Sequence, residues 1–262
     1  MIDINKIYNE DCLITMSKMN DNFIDLTVTS PPYDNLREYK GFNFNFENTA
    51  KELYRITKLG GTIVWVVGDA TINGSETGTS FKQALFFKEI GFNLHDTMIW
   101  KKTNPPPQTK VGKRYTLSHE YMFIFCKNKI SKFNPIMIPC KQAGKKSGTG
   151  TNLKQDGTIR IDRILARKDS KIKDFKQLLS VWEYPVINNK LKHPASFPEK
   201  LTNDHIISWS NVGDLIYDPF MGSGTTAKMA LLNKRNFIGS EISKEYCDIA
   251  EKRIRDFEVK NI

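Results

Sequence analysis

The 262-residue sequence predicts a doubly wound α/β fold, a mostly parallel sheet with helices on both faces, carrying one basic insertion. Three observations support this. Strand-length apolar runs alternate with helix-length amphipathic stretches. The stretch from Asp214 to Glu241 reads strand, Gly-x-Gly turn, helix, strand, acid. Between 129 and 192 the alternation stops, and basic residues replace apolar ones. The expected organisation is one domain in two halves, 1–128 and 193–262, with 129–192 inserted between them.

In order, Lys6–Tyr8 reads as a short strand and Leu13–Met19 as a short helix. Ile24-Asp25-Leu26-Thr27-Val28 is an apolar run of buried-strand type. It meets Pro31 and Pro32, which fix φ and remove N–H groups, so the chain must turn there. Phe46, Ala50, Leu53, Tyr54 and Thr57 keep helical spacing, and Gly60-Gly61 is expected to end that helix. Thr62–Val67 is a strand, Ser80–Ile90 a helix closed by Gly91, and Phe92–Trp100 and Glu120–Cys126 are strands. Asn104-Pro105-Pro106-Pro107 is a rigid loop between them.

From Lys141 to Lys176 there are eleven Lys or Arg against four acids, and few apolar residues. Such a stretch has too little core to stand alone. It is either a solvated face or a segment that binds a polyanion. Regular patterning resumes near His193. Ser196 is the expected N-cap of a helix to Trp209, followed by a strand Asp214–Tyr217. A helix opens at Gly222-Ser223-Gly224-Thr225-Thr226, a strand covers Asn236–Gly239, and a last amphipathic helix covers Lys244–Phe257.

Net charge is +10 and pI about 9.3, which favours a nucleic-acid partner. Cys12, Cys126, Cys140 and Cys247 form no Cys-x-x-Cys pair, so neither zinc nor a disulfide framework is expected. The N-terminus does not read as a signal peptide, and no apolar run is long enough to span a membrane; a cytoplasmic protein is expected.

The strand–turn–helix–strand–acid unit is a nucleotide-binding layout. Glycines let the backbone approach a ligand closely. Glu241, 19 residues after Gly222, can accept from both ribose hydroxyls. The motif lacks a Gly-Lys-Ser/Thr, and Ala227 stands where a dinucleotide fingerprint has its third Gly. At the other turn, Ser30-Pro31-Pro32-Tyr33 offers a hydroxyl, carbonyls and an aromatic face. Those groups suit a planar amine.

Ser30 to Tyr33 resembles the Asp/Asn/Ser-Pro-Pro-Tyr/Phe motif of DNA methyltransferases that modify exocyclic amino groups. Asp218-Pro219-Phe220-Met221-Gly222-Ser223-Gly224-Thr225-Thr226 resembles their S-adenosylmethionine motif. His193-Pro194-Ala195 with Phe197-Pro198-Glu199-Lys200-Leu201 resembles the segment before it, and Asp11-Cys12 their Gly-Asp-Cys, with Glu10 in place of the Gly. The order of catalytic motif, basic insertion and cofactor motif is that of the family's β class.

The resemblance implies a Rossmann-like methyltransferase sheet with a basic target-recognition insertion. It implies that Ser30, Pro31, Pro32 and Tyr33 are catalytic. It assigns the cofactor to Asp11, Cys12, Ser30, His193, Pro194, Ala195, Phe197, Pro198, Asp218, Phe220, Gly222 to Thr226, Glu241 and Ile242. Asp11-Cys12 would meet the adenine, and the segment from His193 would hold the methionine end. Lys141, Lys145, Lys146, Arg160, Arg163, Arg167 and Lys168 are the expected contacts to double-stranded DNA. The enzyme would act as a monomer or homodimer, with a restriction endonuclease as a further partner where one is encoded beside it. No metal is expected. Ser at the first motif position is associated with N4-cytosine, although some Ser-type members modify adenine.

Several alternatives remain at this level. Pro139-Cys140 could serve a cytosine-C5 reaction through a thiolate. His119 and Glu120 could do acid–base work. Phe42, Phe44 and Phe46 could be core, lid or stacking platform. The chain could also be a non-catalytic DNA-binding module, or act on RNA or protein.

Overall fold

The apolar run ending at Val67 lies at the centre of an eight-stranded sheet in a computed structural model of the chain. The structure describes residues 2–32, 44–105, 114–147, 158–159, 170–186 and 198–259. In chain order the elements are β1 (Lys6–Tyr8), α1 (Cys12–Ser17), β2 (Ile24–Thr29), α2 (Phe46–Ile56), β3 (Thr57–Val67), β4 (Thr71–Ile72), β5 (Ser75–Glu76), α3 (Thr79–Glu89), β6 (Phe92–Lys102) and β7 (His119–Lys127). They continue with β8 (Met137–Pro139), β9 (Phe175–Gln177), β10 (Val181–Tyr184), α4 (Glu199–Trp209), β11 (Leu215–Asp218), α5 (Thr225–Leu232), β12 (Asn236–Ser240) and α6 (Lys244–Val259).

The main sheet runs β1-β12-β11-β2-β3-β7-β6-β10. Only β7 is antiparallel to its neighbours. It pairs with β6 from Phe92 opposite Lys127 to Lys101 opposite His119, and Lys102 N donates to Ser118 O at 2.7 Å at one end of the pair. All other strands therefore end on one edge.

Both faces of the central strands are buried, which explains their unbroken apolar runs. Ile63, Trp65 and Val67 join Phe123 and Phe125 in a core with Met16 of α1, Leu53 and Ile56 of α2, and Phe87 of α3. The alternate residues Val64, Val66, Met122 and Ile124 are also fully buried. On that face Met122 Sδ meets His205 of α4. No helix among the described residues is long and apolar enough to cross a membrane.

Most strand and helix ends fall within two residues of the sequence reading, and three differences are larger or of another kind. Helix α2 stops at Ile56, before the glycines, and β3 begins at once with Thr57. Gly60 and Gly61 lie in an irregular part of β3, where a Cβ on Gly60 would come within 2.7 Å of Ser131 Cβ. Gly60 thus lets Ser131 approach the strand, while a Cβ on Gly61 would come within 2.9 Å of Lys58 O and 3.0 Å of Asp25 O. Helix α4 takes Pro198 as its N-cap; Ser196, the expected cap, lies outside the described residues.

The third difference concerns the insertion. The chain divides into one unit of 1–134 with 180–262 and a second of 135–179. Val181–Tyr184, expected within the insertion, is β10 and pairs with β6 at the edge of the main sheet. Its alternation buries Trp182 and Tyr184 and exposes Val181 and Glu183. The second unit is built on a two-stranded antiparallel ribbon of β8 and β9.

Candidate active site at the carboxyl edge of the sheet

The turn after β2 and the turn after β11 leave adjacent parallel strands at the same edge. Ser30 and Pro32 are half-buried there and Pro31 is buried. Tyr33 lies outside the described residues, as do His193, Pro194, Ala195, Phe197, Arg160, Arg163, Arg167 and Lys168. Phe42 and the second half of the Pro-rich loop, Pro106 and Pro107, lie outside them as well.

Asp218 ends β11 and joins the two turns. Its Oδ1 accepts from Thr29 Oγ1 at 2.7 Å and from Phe220 N at 3.0 Å; its Oδ2 accepts from Thr226 Oγ1 at 2.6 Å. Thr29 immediately precedes Ser30, and Thr226 lies in the first turn of α5, the helix after the glycine turn. Burial raises the Asp218 pKa, opposed by these three hydrogen bonds. A buried carboxylate with fewer donors would be costly, so the two turns are held together by its need for partners.

The glycine turn requires its glycines. Gly222 and Gly224 have φ of +54° and +80°, in the left-handed region. A Cβ on Gly224 would lie 2.9 Å from Ala250 Cβ of α6. Glu241, just past β12, braces the turn: its Oε2 accepts from Gly222 N and its Oε1 from Ser243 N, each at 2.8 Å. Asn9 Nδ2 donates to the carbonyls of Glu241 at 2.8 Å and Ile242 at 3.1 Å. Burial raises the Glu241 pKa, against the amides that favour the carboxylate. Each carboxylate oxygen has a second acceptor direction, so bracing the turn does not exhaust it.

Asp11 and Cys12 follow β1 at the same edge. Asp11 caps α1, accepting from Leu13 N at 2.7 Å. The Cys12 thiol is buried 3.9 Å from Thr49 Oγ1, and burial pushes its pKa up to about 12. It is therefore a neutral thiol. Phe220 meets Phe44 edge-on at 5.1 Å, and Phe44 and Phe46, both half-buried, pack against Trp65 of the core.

Sequence reasoning missed a latch behind the turn. Arg253 of α6 donates to Ser223 O at 3.0 Å, Ser223 Oγ at 3.3 Å and Thr225 Oγ1 at 3.1 Å. It also pairs with Glu199 at the start of α4, and Lys228 Nζ meets the same Glu199 oxygen at 2.8 Å. Burial would raise the Glu199 pKa, but hydrogen bonds from Lys228 and Arg253 hold it below the ordinary value. The sequence gives no signal for this pairing, because the partners lie 54 residues apart.

Two weaker candidates have these surroundings. Glu120 pairs with Lys102 at 2.7 Å, both mostly buried, and His119 meets Tyr121 edge-on. Cys140 belongs to the second unit, where its N–H donates to Asp174 O at 2.7 Å. Lys141, Lys145 and Lys146 are exposed in that unit.

A doubly wound sheet with two motif turns at one carboxyl edge defines a nucleotide-binding α/β protein. The chain belongs to the DNA methylase family of N6/N4 methyltransferases, whose model matches residues 24–252. It is 53% identical to the orphan methyltransferase M.BamHII of Bacillus amyloliquefaciens over 249 residues, covering 91% of each chain. It is 31% identical to the type II methyltransferase M.BglII of Bacillus subtilis, over 94% of this chain and 68% of that one. Among solved structures, the PvuII cytosine-N4-specific DNA methyltransferase aligns with a TM-score of 0.68 at 20% identity, over 97% of this chain and 91% of that one. The M1.HpyAVI complex with S-adenosylmethionine aligns with a TM-score of 0.63 at 24% identity, over 95% and 98%. S-adenosylmethionine is the cofactor of the family.

Proposed function

We propose that the chain methylates the exocyclic amino group of a base in double-stranded DNA, with N4 of cytosine favoured over N6 of adenine. The observation that carries this reading is the Asp218 carboxylate, which holds the end of β2 and the glycine turn together through Thr29 and Thr226. A reaction between two bound substrates needs their two turns in one fixed relation.

The residues fit a nucleoside-bearing cofactor. Gly222 and Gly224 open the backbone, and Glu241 keeps acceptor directions for ribose hydroxyls. Ser223, Thr225 and Thr226 line the same turn, with Asp11, Cys12, Phe220 and Ile242 beside it and the segment 193–198 for the methionine end. When bound, S-adenosylmethionine supplies an electrophilic methyl group on a sulfonium sulfur.

The amino group is a poor nucleophile, because its lone pair is delocalised into the ring. Ser30 Oγ and the Pro31 carbonyl accept its two hydrogens and turn its lone pair outward. Pro32 fixes the turn, and Tyr33 stacks on the base. The target atom is inaccessible in a duplex, so the base is flipped out. No thiolate is required, which leaves Cys140 outside the chemistry. Lys141, Lys145, Lys146, Arg160, Arg163, Arg167 and Lys168 neutralise phosphates. M.BamHII is named an orphan methyltransferase, so the reading does not require an endonuclease partner.

The test separates binding from chemistry. Glu241→Ala should weaken S-adenosylmethionine binding by calorimetry roughly tenfold or more, through lost charged acceptors. Ser30→Ala and Tyr33→Ala should bind the cofactor nearly normally and lose methyl transfer to DNA; loss of base stacking at Tyr33 is worth ~1–3 kcal/mol. Unimpaired transfer by both turn variants would refute the assignment.

A further inference from the structure

The second unit exposes a face that a free protein has no reason to keep bare. In the ribbon, Met137 pairs with Gln177 and Pro139 with Phe175, so these four side chains share one face. All four are exposed, Met137 by 49% and Phe175 by 56%. Asp174 and Lys176 alternate onto the other face, with Ile138. Across the described parts of the unit, exposed Lys141, Lys145, Lys146, Lys171, Lys173 and Lys176 stand against the single acid Asp174. At the turn end of the ribbon, Lys146 bridges directly opposite Lys171. Like charges facing each other across a ladder are unfavourable unless an anion lies between them.

Together these features describe one kind of partner. A two-stranded ribbon fits the major groove of B-DNA, which is about 12 Å wide. Lysines at one end suit phosphates, which fix register without reading sequence. A glutamine amide offers one donor and one acceptor, the pair that matches adenine N6 and N7; apolar side chains suit the thymine methyl. We propose that the face formed by Met137, Pro139, Phe175 and Gln177 is the base-reading surface of this enzyme, with Gln177 directed to an A·T pair of the recognition sequence. The proposal rests on the DNA-methylation reading above and adds which residues set the sequence.

The experiment uses the full chain, S-adenosylmethionine and a pool of plasmids carrying a randomised duplex segment, with methylated sites read by sequencing. The wild-type chain should give one recognition sequence. Gln177→Ala should relax the preference at one A·T position roughly tenfold. Gln177→Glu, which only accepts, should disfavour adenine there. The double variant Met137→Ala/Phe175→Ala should loosen positions beside it. Gln177→Ala and Met137→Ala/Phe175→Ala, which change no charge, should leave the salt dependence of DNA binding as it is, whereas Lys146→Gln/Lys171→Gln should flatten it and keep the recognition sequence. An unchanged recognition sequence and unchanged preference in both the Gln177 and the Met137/Phe175 variants would overturn the ribbon proposal alone. A wild-type chain that methylates no plasmid would overturn the DNA-methylation reading as well.

Discussion

Thr29 and Asp218 lie 189 residues apart in the chain, yet the threonine hydroxyl donates to the carboxylate at 2.7 Å inside the core. The bond joins the last residue before the Ser-Pro-Pro turn to the last residue of β11. Because Asp218 also accepts from Thr226, one buried carboxylate fixes three separate pieces of the site.

Thr29→Val keeps the shape of this contact and removes its donor. We expect a stability loss of about 1–3 kcal/mol in urea unfolding, because the buried carboxylate loses a partner. Turnover should fall further than cofactor affinity, because the altered residue precedes Ser30. Wild-type stability and turnover in this variant would show that the link holds nothing.

Arg253 reaches the same turn from behind. Arg253→Lys keeps the charge and loses the planar fork, so the lysine cannot serve Ser223, Thr225 and Glu199 at once. Cofactor affinity should drop roughly tenfold, and Arg253→Met should cost more. In a double-mutant cycle, Arg253→Met and Glu199→Gln should be strongly non-additive. Additive effects on calorimetric affinity would mean the two residues act independently.

His205 should control stability in mild acid. It is fully buried, accepts from Trp209 Nε1 at Nδ1, and burial lowers its pKa from 6.5 to about 3. The unfolded chain takes up a proton below about pH 6.5 and the folded chain does not until about pH 3. Stability is therefore lost as pH falls through that window, by ~1.4 kcal/mol per pH unit from this group. His205→Gln retains an acceptor for Trp209 and should lose less stability than wild type between pH 6.5 and 5. Parallel stability curves for the two proteins would contradict the shift.

The elements visible in the sequence were those with strong local patterns. Thr62–Val67 is apolar on both faces, and Gly222, Gly224 and Glu241 sit at spacings that a βαβ unit imposes. What was not legible depends on distance or competition. Helix α2 ends before Gly60 because β3 pairs with β2 from Thr57 onward, so sheet pairing overrode the glycine stop. Strand β10 was hidden because only Trp182 and Tyr184 mark its buried face, beside a long basic stretch. The Asp218–Thr29 and Glu199–Arg253 links join residues far apart in sequence, and neither residue type announces its partner.

The most direct test of the central claim is the position of the transferred methyl group. The enzyme is given methyl-labelled S-adenosylmethionine and duplex DNA, and the DNA is then digested to nucleosides. We expect label on an exocyclic amino nitrogen, cytosine N4 ahead of adenine N6, and the same product and rate from Cys140→Ser. Label on the ring carbon of cytosine, abolished in a folded Cys140→Ser enzyme, would contradict the account.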